Sequence, residues 1–353
     1  MRRNGGEGVF WQGLGALGEI IMTEADILEF RNELTDRRRR LEGAVAGTGG
    51  LPQLTRLLQE VDEALQRIEV GLYGRCDTCH DDIEKDRLRI DPLIRTCLDH
   101  LTPEEQRALE QDLALATRVQ GTMLPQRNLR AAGWEVSFHY EPAGAVSGDY
   151  CDLISGNDPG GDLFFLLGDV AGKGVAASML MACLRAIVRT LADANLPLQT
   201  LVERANRLFC ESVLPSHYAT LVLGRAAPSG ELEICNAGHC PPLLVRPGAI
   251  EMIEATGLPL GLFCSSPFEV RRARFSRGDL LVLCTDGLLE ARHGSGAEYG
   301  MGRLKEVAAA CYGKSLRALV ETCLQDLRIF RAGAPSSDDL SIMALGRAES
   351  AAR

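Results

Sequence analysis

The sequence predicts an α+β protein: a layered domain of strands and helix pairs behind an α-helical hairpin that ends in a metal knuckle. Three observations carry this. The first third has apolar residues at helical spacing, followed by three Cys and a His in two close pairs. The remainder mixes short apolar runs, bounded by Gly and Pro, with longer helical patterns. The chain has 353 residues, more than one core of roughly 150 needs, so two domains are expected.

Composition narrows the function classes. Hydrophobic residues make up 46% and charged residues 24%, the balance of an ordinary globular chain. The net charge is −10. Phosphate backbones are bound through clustered Lys and Arg, so no nucleic-acid partner is expected. The 12 Cys fall well under the density of a disulfide scaffold. Cys151, Cys183, Cys210, Cys235, Cys240, Cys264, Cys284, Cys311 and Cys323 are scattered through apolar stretches and read as free core residues. That usage suits a reducing, cytoplasmic setting. No run of roughly 18 apolar residues occurs, so no membrane span is expected.

Residues 1–22 read as a disordered leader. Met1-Arg2-Arg3 precedes a weakly apolar stretch that Glu7 and Glu19 interrupt, without a clear cleavage site. Ile27, Phe30, Leu34, Leu41 and Val45 then mark one helix. The Gly47–Gly50 cluster breaks it, and Pro52 suits the first turn of the next. Leu54, Leu57, Val61, Leu65, Ile68 and Leu72 mark that second helix. A short Gly-rich turn between them makes an antiparallel hairpin.

Next come Cys76 and Cys79, then Cys97 and His100, in the spacing C-x2-C-x17-C-x2-H. Thiolates two residues apart span one edge of a zinc tetrahedron, and the second pair closes it. His80, beside Cys79, is a rival for the fourth ligand. A closed four-ligand site serves folding rather than catalysis. Residues 23–101 resemble the DksA/TraR-type zinc finger family. The likeness rests on the hairpin, Tyr73-Gly-Arg-Cys76-Asp-Thr-Cys79, Ile83, Arg87-Leu88, Pro92 and the final pair, where His100 replaces the usual Cys. Some members work in the RNA polymerase channel through acidic hairpin tips. The tip here, Ala46–Gly50, has no Asp or Glu.

Residues 102–125 read as a linker helix. Thr102 is a cap, Pro103 fits the first position, and Glu104 and Glu105 complement the first turn. Its stripe of Leu109, Leu113, Ala116, Val119 and Met123 leaves two readings open: packing onto the next domain, or a homodimer through this helix.

Residues 126–347 form the second domain, and 348–353 a tail. Strands are expected at Trp134–Tyr140, Leu163–Val170, Tyr218–Gly224, Leu232–Asn236, Leu243–Arg246, Glu269–Phe275, Leu280–Thr285 and Leu340–Leu345. Helices are expected at Val175–Ala194, Leu198–Val213, Met301–Cys311 and Leu316–Phe330. The first of these is apolar almost all round, which predicts burial on every side.

Aspartates with Gly or a second Asp beside them recur next to apolar strands: Gly148-Asp149, Gly168-Asp169, Asp286-Gly287 and Asp338-Asp339. One Asp-Gly is usually a turn. Several gathered carboxylates are costly to bury without cations, and oxygen donors alone select Mg2+ or Mn2+. This pattern resembles the PPM-type metal-dependent serine/threonine phosphatases, in their SpoIIE/RsbU-like branch. The matching stretches run in order: Gln120-x3-Leu124-Pro125, Gly144-x3-Gly148-Asp149-Tyr150, Gly168-Asp169-Val170-Ala-Gly172-Lys173-Gly174, Asn236-Ala-Gly-His239, Gly257-x-Pro259-Leu260-Gly261, Thr285-Asp286-Gly287 and Asp338-Asp339-Leu340-Ser341.

The resemblance implies a four-layer α-β-β-α sandwich with a two-metal centre of Mn2+ or Mg2+. It implies metal ligation by Asp149, Asp169, the Val170 carbonyl, Asp286, Asp338 and, less uniformly in the family, Asp339. It also implies hydrolysis of a phosphoserine or phosphothreonine by a water activated between two cations. The substrate it implies is a phosphorylated regulatory protein, an anti-sigma antagonist of a bacterial partner-switching pathway. The alternative is a non-catalytic zinc-hairpin adaptor that keeps the phosphatase-like half as a scaffold.

Overall fold

The computed structural model describes residues 22–48, 52–101, 103–155, 161–213, 217–334, 336 and 338–348. The expected leader, all but its last residue, lies outside the described residues, as do positions 49–51 of the hairpin tip and 349–353 of the tail. The chain divides into two compact units, Met1–Glu110 and Gln111–Arg353. The division falls inside the helix that the sequence sets apart as a linker.

In the first unit, helices α1 (Glu24–Thr48) and α2 (Pro52–Glu69) pair. Thr23 and Asp26 cap α1 reciprocally: the Asp26 carboxylate accepts the Thr23 N–H, and Thr23 Oγ1 accepts the Asp26 N–H. Asp26 also pairs with Lys85 at the start of α3 (Lys85–Ile90). Phe30, Leu34, Val61, Ala64 and Ile68 form one buried cluster with Tyr73, Ile83 and Leu88 from the segment after α2. Leu72, expected on the apolar stripe of the second helix, is exposed instead. The helix ends at Glu69 and Gly71 turns the chain with φ +73°, so the period is broken before Leu72.

The second unit has two antiparallel sheets. One has strand order β1-β2-β11-β10-β7-β8: β1 Asn128–Ala131, β2 Trp134–Glu141, β7 Leu243–Arg246, β8 Ala249–Met252, β10 Leu280–Cys284 and β11 Leu340–Arg347. The other has order β3-β4-β5-β6-β9: β3 Asp149–Ser155, β4 Leu163–Val170, β5 Ala219–Ala226, β6 Glu231–Ala237 and β9 Arg271–Arg274. Three apolar layers hold it together. Trp134, Phe138, Phe165, Val222, Leu283 and Met343 fill the space between the sheets. Met181, Leu184, Val188, Leu201 and Phe209, from α5 (Gly174–Ala192) and α6 (Leu198–Ser212), cover the outer face of the second sheet. Leu304, Leu319, Val320 and Cys323, from α8 (Gly300–Ala310) and α9 (Leu316–Arg331), cover the first. The four layers follow from which strand faces are apolar.

The second unit departs from expectation at several further places. Strands β1, β3 and β8 are additional. The first and last are four-residue edges with half-exposed alternation, and β3 carries Asp149 and Asp152, so no apolar run marks any of them. The β9 strand is shorter than Glu269–Phe275. Cys210 and Cys264 are joined by a disulfide, so these two are not free core thiols. Finally, α5 is not buried all round: Val175 and Met179 are exposed, Met179 at 67%. By length and composition α5 is also the one described helix apolar enough to cross a membrane, although no uninterrupted run of 18 apolar residues occurs.

The α5 helix is instead stapled to its sheet. The fully buried Asp152 carboxylate accepts from Arg189 Nε at 2.6 Å and Nη2 at 2.7 Å, and Arg185 approaches at 3.5 Å. Losing one partner of a fully buried pair costs roughly 3–5 kcal/mol. Arg189 is 40% exposed and can turn to water. Asp152→Ala should therefore cost less, about 2–3 kcal/mol, read from the urea unfolding midpoint of the full chain.

Candidate metal centres

The carboxylates are placed by strand register. Asp149 opens β3 and Asp169 lies near the end of β4, and the two are direct partners across the antiparallel pair. Their side chains therefore leave the same face at one end of the sheet. Gly148 is obligatory beside them: a Cβ there would lie 2.9 Å from the Val170 carbonyl oxygen and 3.3 Å from Asp169 Oδ1. In the other sheet β10 pairs with β11, with Cys284 opposite Ile342. Asp286 follows β10 at the start of α7 (Asp286–Leu289), and Asp338 and Asp339 precede β11. Gly287 is equally obligatory, because a Cβ would fall 1.9 Å from the Asp339 carbonyl oxygen.

Hydrogen bonds join the two sheet ends. Asp149 is 1% exposed, and its Oδ2 accepts from Thr285 Oγ1 at 3.0 Å and Ser341 Oγ at 2.5 Å, both from the opposite sheet. Asp339 reaches the other way, accepting the Ala143 N–H at 2.7 Å and the Gly148 N–H at 2.9 Å. Lys173, ahead of α5, donates to Asp338 Oδ2 at 3.0 Å. The structure thus gathers Asp149, Asp169, Asp286, Asp338 and Asp339 at one end of the sandwich, with Val170 directly after Asp169.

The electrostatics show strain. Burial pushes Asp149 well above the usual carboxylate range; the Ser341 hydroxyl opposes this, and Asp169 and Asp339 add to it. Asp169 is pushed up to about 7, first by burial and then by Asp286, Asp338 and Asp339. Asp286 is raised by burial, Asp338 and Glu290. These carboxylates are short of positive charge. His239 contributes none: burial lowers it to about 4, and its Nδ1 meets Thr220 Oγ1 at 2.8 Å. It is neutral at pH 7 and sits in a turn held by Asn236, whose Oδ1 accepts the His239 N–H at 2.8 Å.

Cys76, Cys79, Cys97 and His100 form a tighter group. Their ligand atoms all lie within 4.8 Å of one another, and among the described residues this is the one group of three or more such donors so close. Cys79 Sγ is 3.7 Å from Cys97 Sγ, and Cys97 Sγ is 3.3 Å from His100 Nδ1. His80, the rival donor, is outside the group and adopts φ +64°. Cys97 is pushed up to about 12 by burial and by its thiol neighbours. Among the described residues, no three of the acidic side chains bring carboxylate oxygens as close together as this set.

Sequence reasoning missed the hydroxyls of Thr285 and Ser341 and the bracing role of Asp339. All three sit inside the quoted motifs, so the signal was present, but only the fold shows that they meet Asp149 or its loop.

Packed antiparallel sheets between helix pairs, with acidic residues at one end, define a PP2C-like phosphatase fold. The family model described as Stage II sporulation protein E (SpoIIE) matches residues 159–348, and the chain belongs to this family. Protein IcfG of Synechocystis sp. is 27% identical over 266 residues, covering 67% of this chain and 41% of IcfG. Phosphoserine phosphatase RsbU of Bacillus subtilis is 23% identical over 194 residues, covering 54% of this chain and 57% of RsbU. The chain thus spans about half the length of these curated relatives. Among solved structures, the RsbU and RsbW domains of Rv1364c from Mycobacterium tuberculosis match at 30% identity and TM-score 0.53, over 61% of each chain. The SiaA-PP2C domain of Pseudomonas aeruginosa matches at 17% identity and TM-score 0.61, over 70% of this chain and 99% of that one. This last likeness concerns the fold alone.

A raised carboxylate pKa favours the folded state at low pH and penalises it as pH rises. For Asp169 the penalty grows from its ordinary value of 3.8 to about 7 and is complete above that. At pH 8 without added Mn2+, Asp169→Asn should therefore melt higher than the wild type. Differential scanning fluorimetry of the two chains checks this.

Proposed function

We propose that the chain is a metal-dependent protein serine/threonine phosphatase. The observation that carries this is the gathering of carboxylates from four distant stretches and both sheets, with Asp149 buried under hydroxyls of the opposite sheet. Asp149, Asp169, Asp286 and Asp338, with the Val170 carbonyl, would hold two Mn2+ or Mg2+ ions. The donor set fits: it is all oxygen, and it is short of positive charge. Asp339 completes the proposed set, although both its oxygens already accept backbone N–H donors. When bound, the ions supply neutralisation of phosphoryl oxygens and an acidified water. The chain's own contribution is placement. Thr285 and Ser341 fix the rotation of Asp149, which leaves its Oδ1 for a cation.

The substrate in this reading is a phosphoserine or phosphothreonine on a regulatory protein, an anti-sigma antagonist of a partner-switching pathway in the cytoplasm. The kinship with a relative named phosphoserine phosphatase RsbU supports the phosphoserine part of this reading. In the first unit, Cys76, Cys79, Cys97 and His100 would hold one structural Zn2+ in a DksA/TraR-like knuckle, leaving no open coordination position. The helix α4 (Pro103–Met123) exposes Leu109 and Val119, which supports a homodimer formed along it.

Hydrolysis of p-nitrophenyl phosphate by the full chain with Mn2+ tests the central reading. Asp149→Ala and Asp286→Ala should each lower kcat at least about 1,000-fold with the circular dichroism spectrum retained. A wild-type chain inert with both Mn2+ and Mg2+ would favour the zinc-stapled adaptor instead. Zinc content is a separate readout. Cys76→Ser should lose the one equivalent of zinc found by atomic emission and lower the melting temperature of the first unit.

A further inference from the structure

The last turns of α4 grip the loop that leads into Asp149. Gln120 is 6% exposed, one of the few buried polar side chains. Its Nε2 donates to the Ser147 carbonyl oxygen at 2.7 Å, and its Oε1 accepts the Ser147 N–H at 3.0 Å. One turn earlier, Thr117 Oγ1 donates to the Ala145 carbonyl oxygen at 2.6 Å. From the other side the same loop is held by Asp339, through the Ala143 and Gly148 N–H groups. Ser147 in turn holds its neighbour: its Oγ accepts the Asp149 N–H at 3.0 Å.

The chemistry of this clamp is selective. Ser147 precedes β3, so the strand ladder serves neither its N–H nor its carbonyl, and buried peptide groups need partners. A primary amide offers one donor and one acceptor side by side, which matches both groups of one residue. Two parallel bonds fix rotation as well as position. Glu keeps the acceptor and loses the donor. Met keeps the length and loses both. Asn keeps both but is one methylene too short.

We propose that Gln120 is a positioning residue for the carboxylate centre: by holding the Ser147 peptide it sets where Gly148 and Asp149 lie against Asp169 and Asp339. This rests on the reading of Asp149 as a metal ligand. It gives the Gln120-x3-Leu124-Pro125 motif, which lies well before the first carboxylate, a direct part in the centre.

The test uses the full, zinc-loaded chain and Mn2+ as the probe, with affinity from titration calorimetry and turnover of p-nitrophenyl phosphate as a second readout. Gln120→Met should weaken Mn2+ binding at least tenfold. It should raise the Mn2+ needed for half-maximal turnover by a similar factor. At saturating Mn2+ the KM for the ester should stay within twofold of wild type. Gln120→Glu, which keeps the Ser147 N–H bond, should fall between, and it serves also if the Met variant does not fold. Asp326→Ala, which breaks the Arg303–Asp326 pair between α8 and α9, controls for general destabilisation and should leave Mn2+ affinity unchanged. Folded Gln120 variants that bind Mn2+ within twofold of wild type would overturn the proposal. A wild-type chain that binds no Mn2+ would instead overturn the ligand reading on which it stands, so the two failures are distinguishable.

Discussion

The organisation of the second unit depends on one buried charge. Asp149 is almost wholly removed from water, and an ionised carboxylate there is costly unless something answers it. Part of the answer comes from the sheet to which it does not belong, through Thr285 and Ser341. The return connection runs from Asp339 to Gly148. Polar bonds thus lock the two sheets at the acidic end, whereas Phe165, Leu283 and Met343 hold them by apolar packing in the middle. The two devices differ in kind. The apolar layer tolerates volume-conserving exchange, while the polar end does not, because each donor there has one acceptor.

The same end explains why particular glycines stand beside the aspartates. Two backbones must approach closely to bring the carboxylates together. At Gly148 the obstacle is the Val170 carbonyl, and at Gly287 it is the Asp339 carbonyl. A side chain at either position would push the two acid-bearing segments apart. The residues flanking the acids are therefore part of the centre's geometry without touching any ligand.

Much of this is legible in the sequence, for definable reasons. Leu163–Val170 and Leu243–Arg246 match the observed strands because each opens on a continuous apolar run, Leu163–Leu167 and Leu243–Val245. The α5 and α6 helices lie within two residues of expectation because their periodicity is long. Strand β3 is invisible to the same reasoning. Its polar residues, Asp149 and Asp152, sit on a strand because one joins the acidic centre and the other pairs with Arg189. The exposed face of α5 is invisible for the opposite reason: apolar residues predict burial, and Val175 and Met179 are out in solvent. The Cys210–Cys264 bond joins α6 to a loop 54 residues later, and no spacing rule marks that separation. The motifs singled out a set of acids. They could not reveal that Asp339 spends its oxygens on backbone N–H groups.

The distribution of compensation among the acids shows where positive charge is still wanting. Asp339 has two N–H donors and Asp149 has two hydroxyls. Asp338 has Lys173, but that pair is exposed and so worth little. Asp286 has the Gly287 N–H against the charges of Asp338 and Glu290. Asp169 is raised by burial and three neighbouring acids, with Lys173 opposing them. The N-terminus of α5 begins five residues after Asp169, and a helix start adds only a fraction of a charge. Positive charge is therefore wanting at Asp149, Asp169 and Asp286 alike, which come from the joined ends of both sheets. A fold that merely used these acids as turn residues would have no reason to bury Asp149 and Asp169 beside other acids.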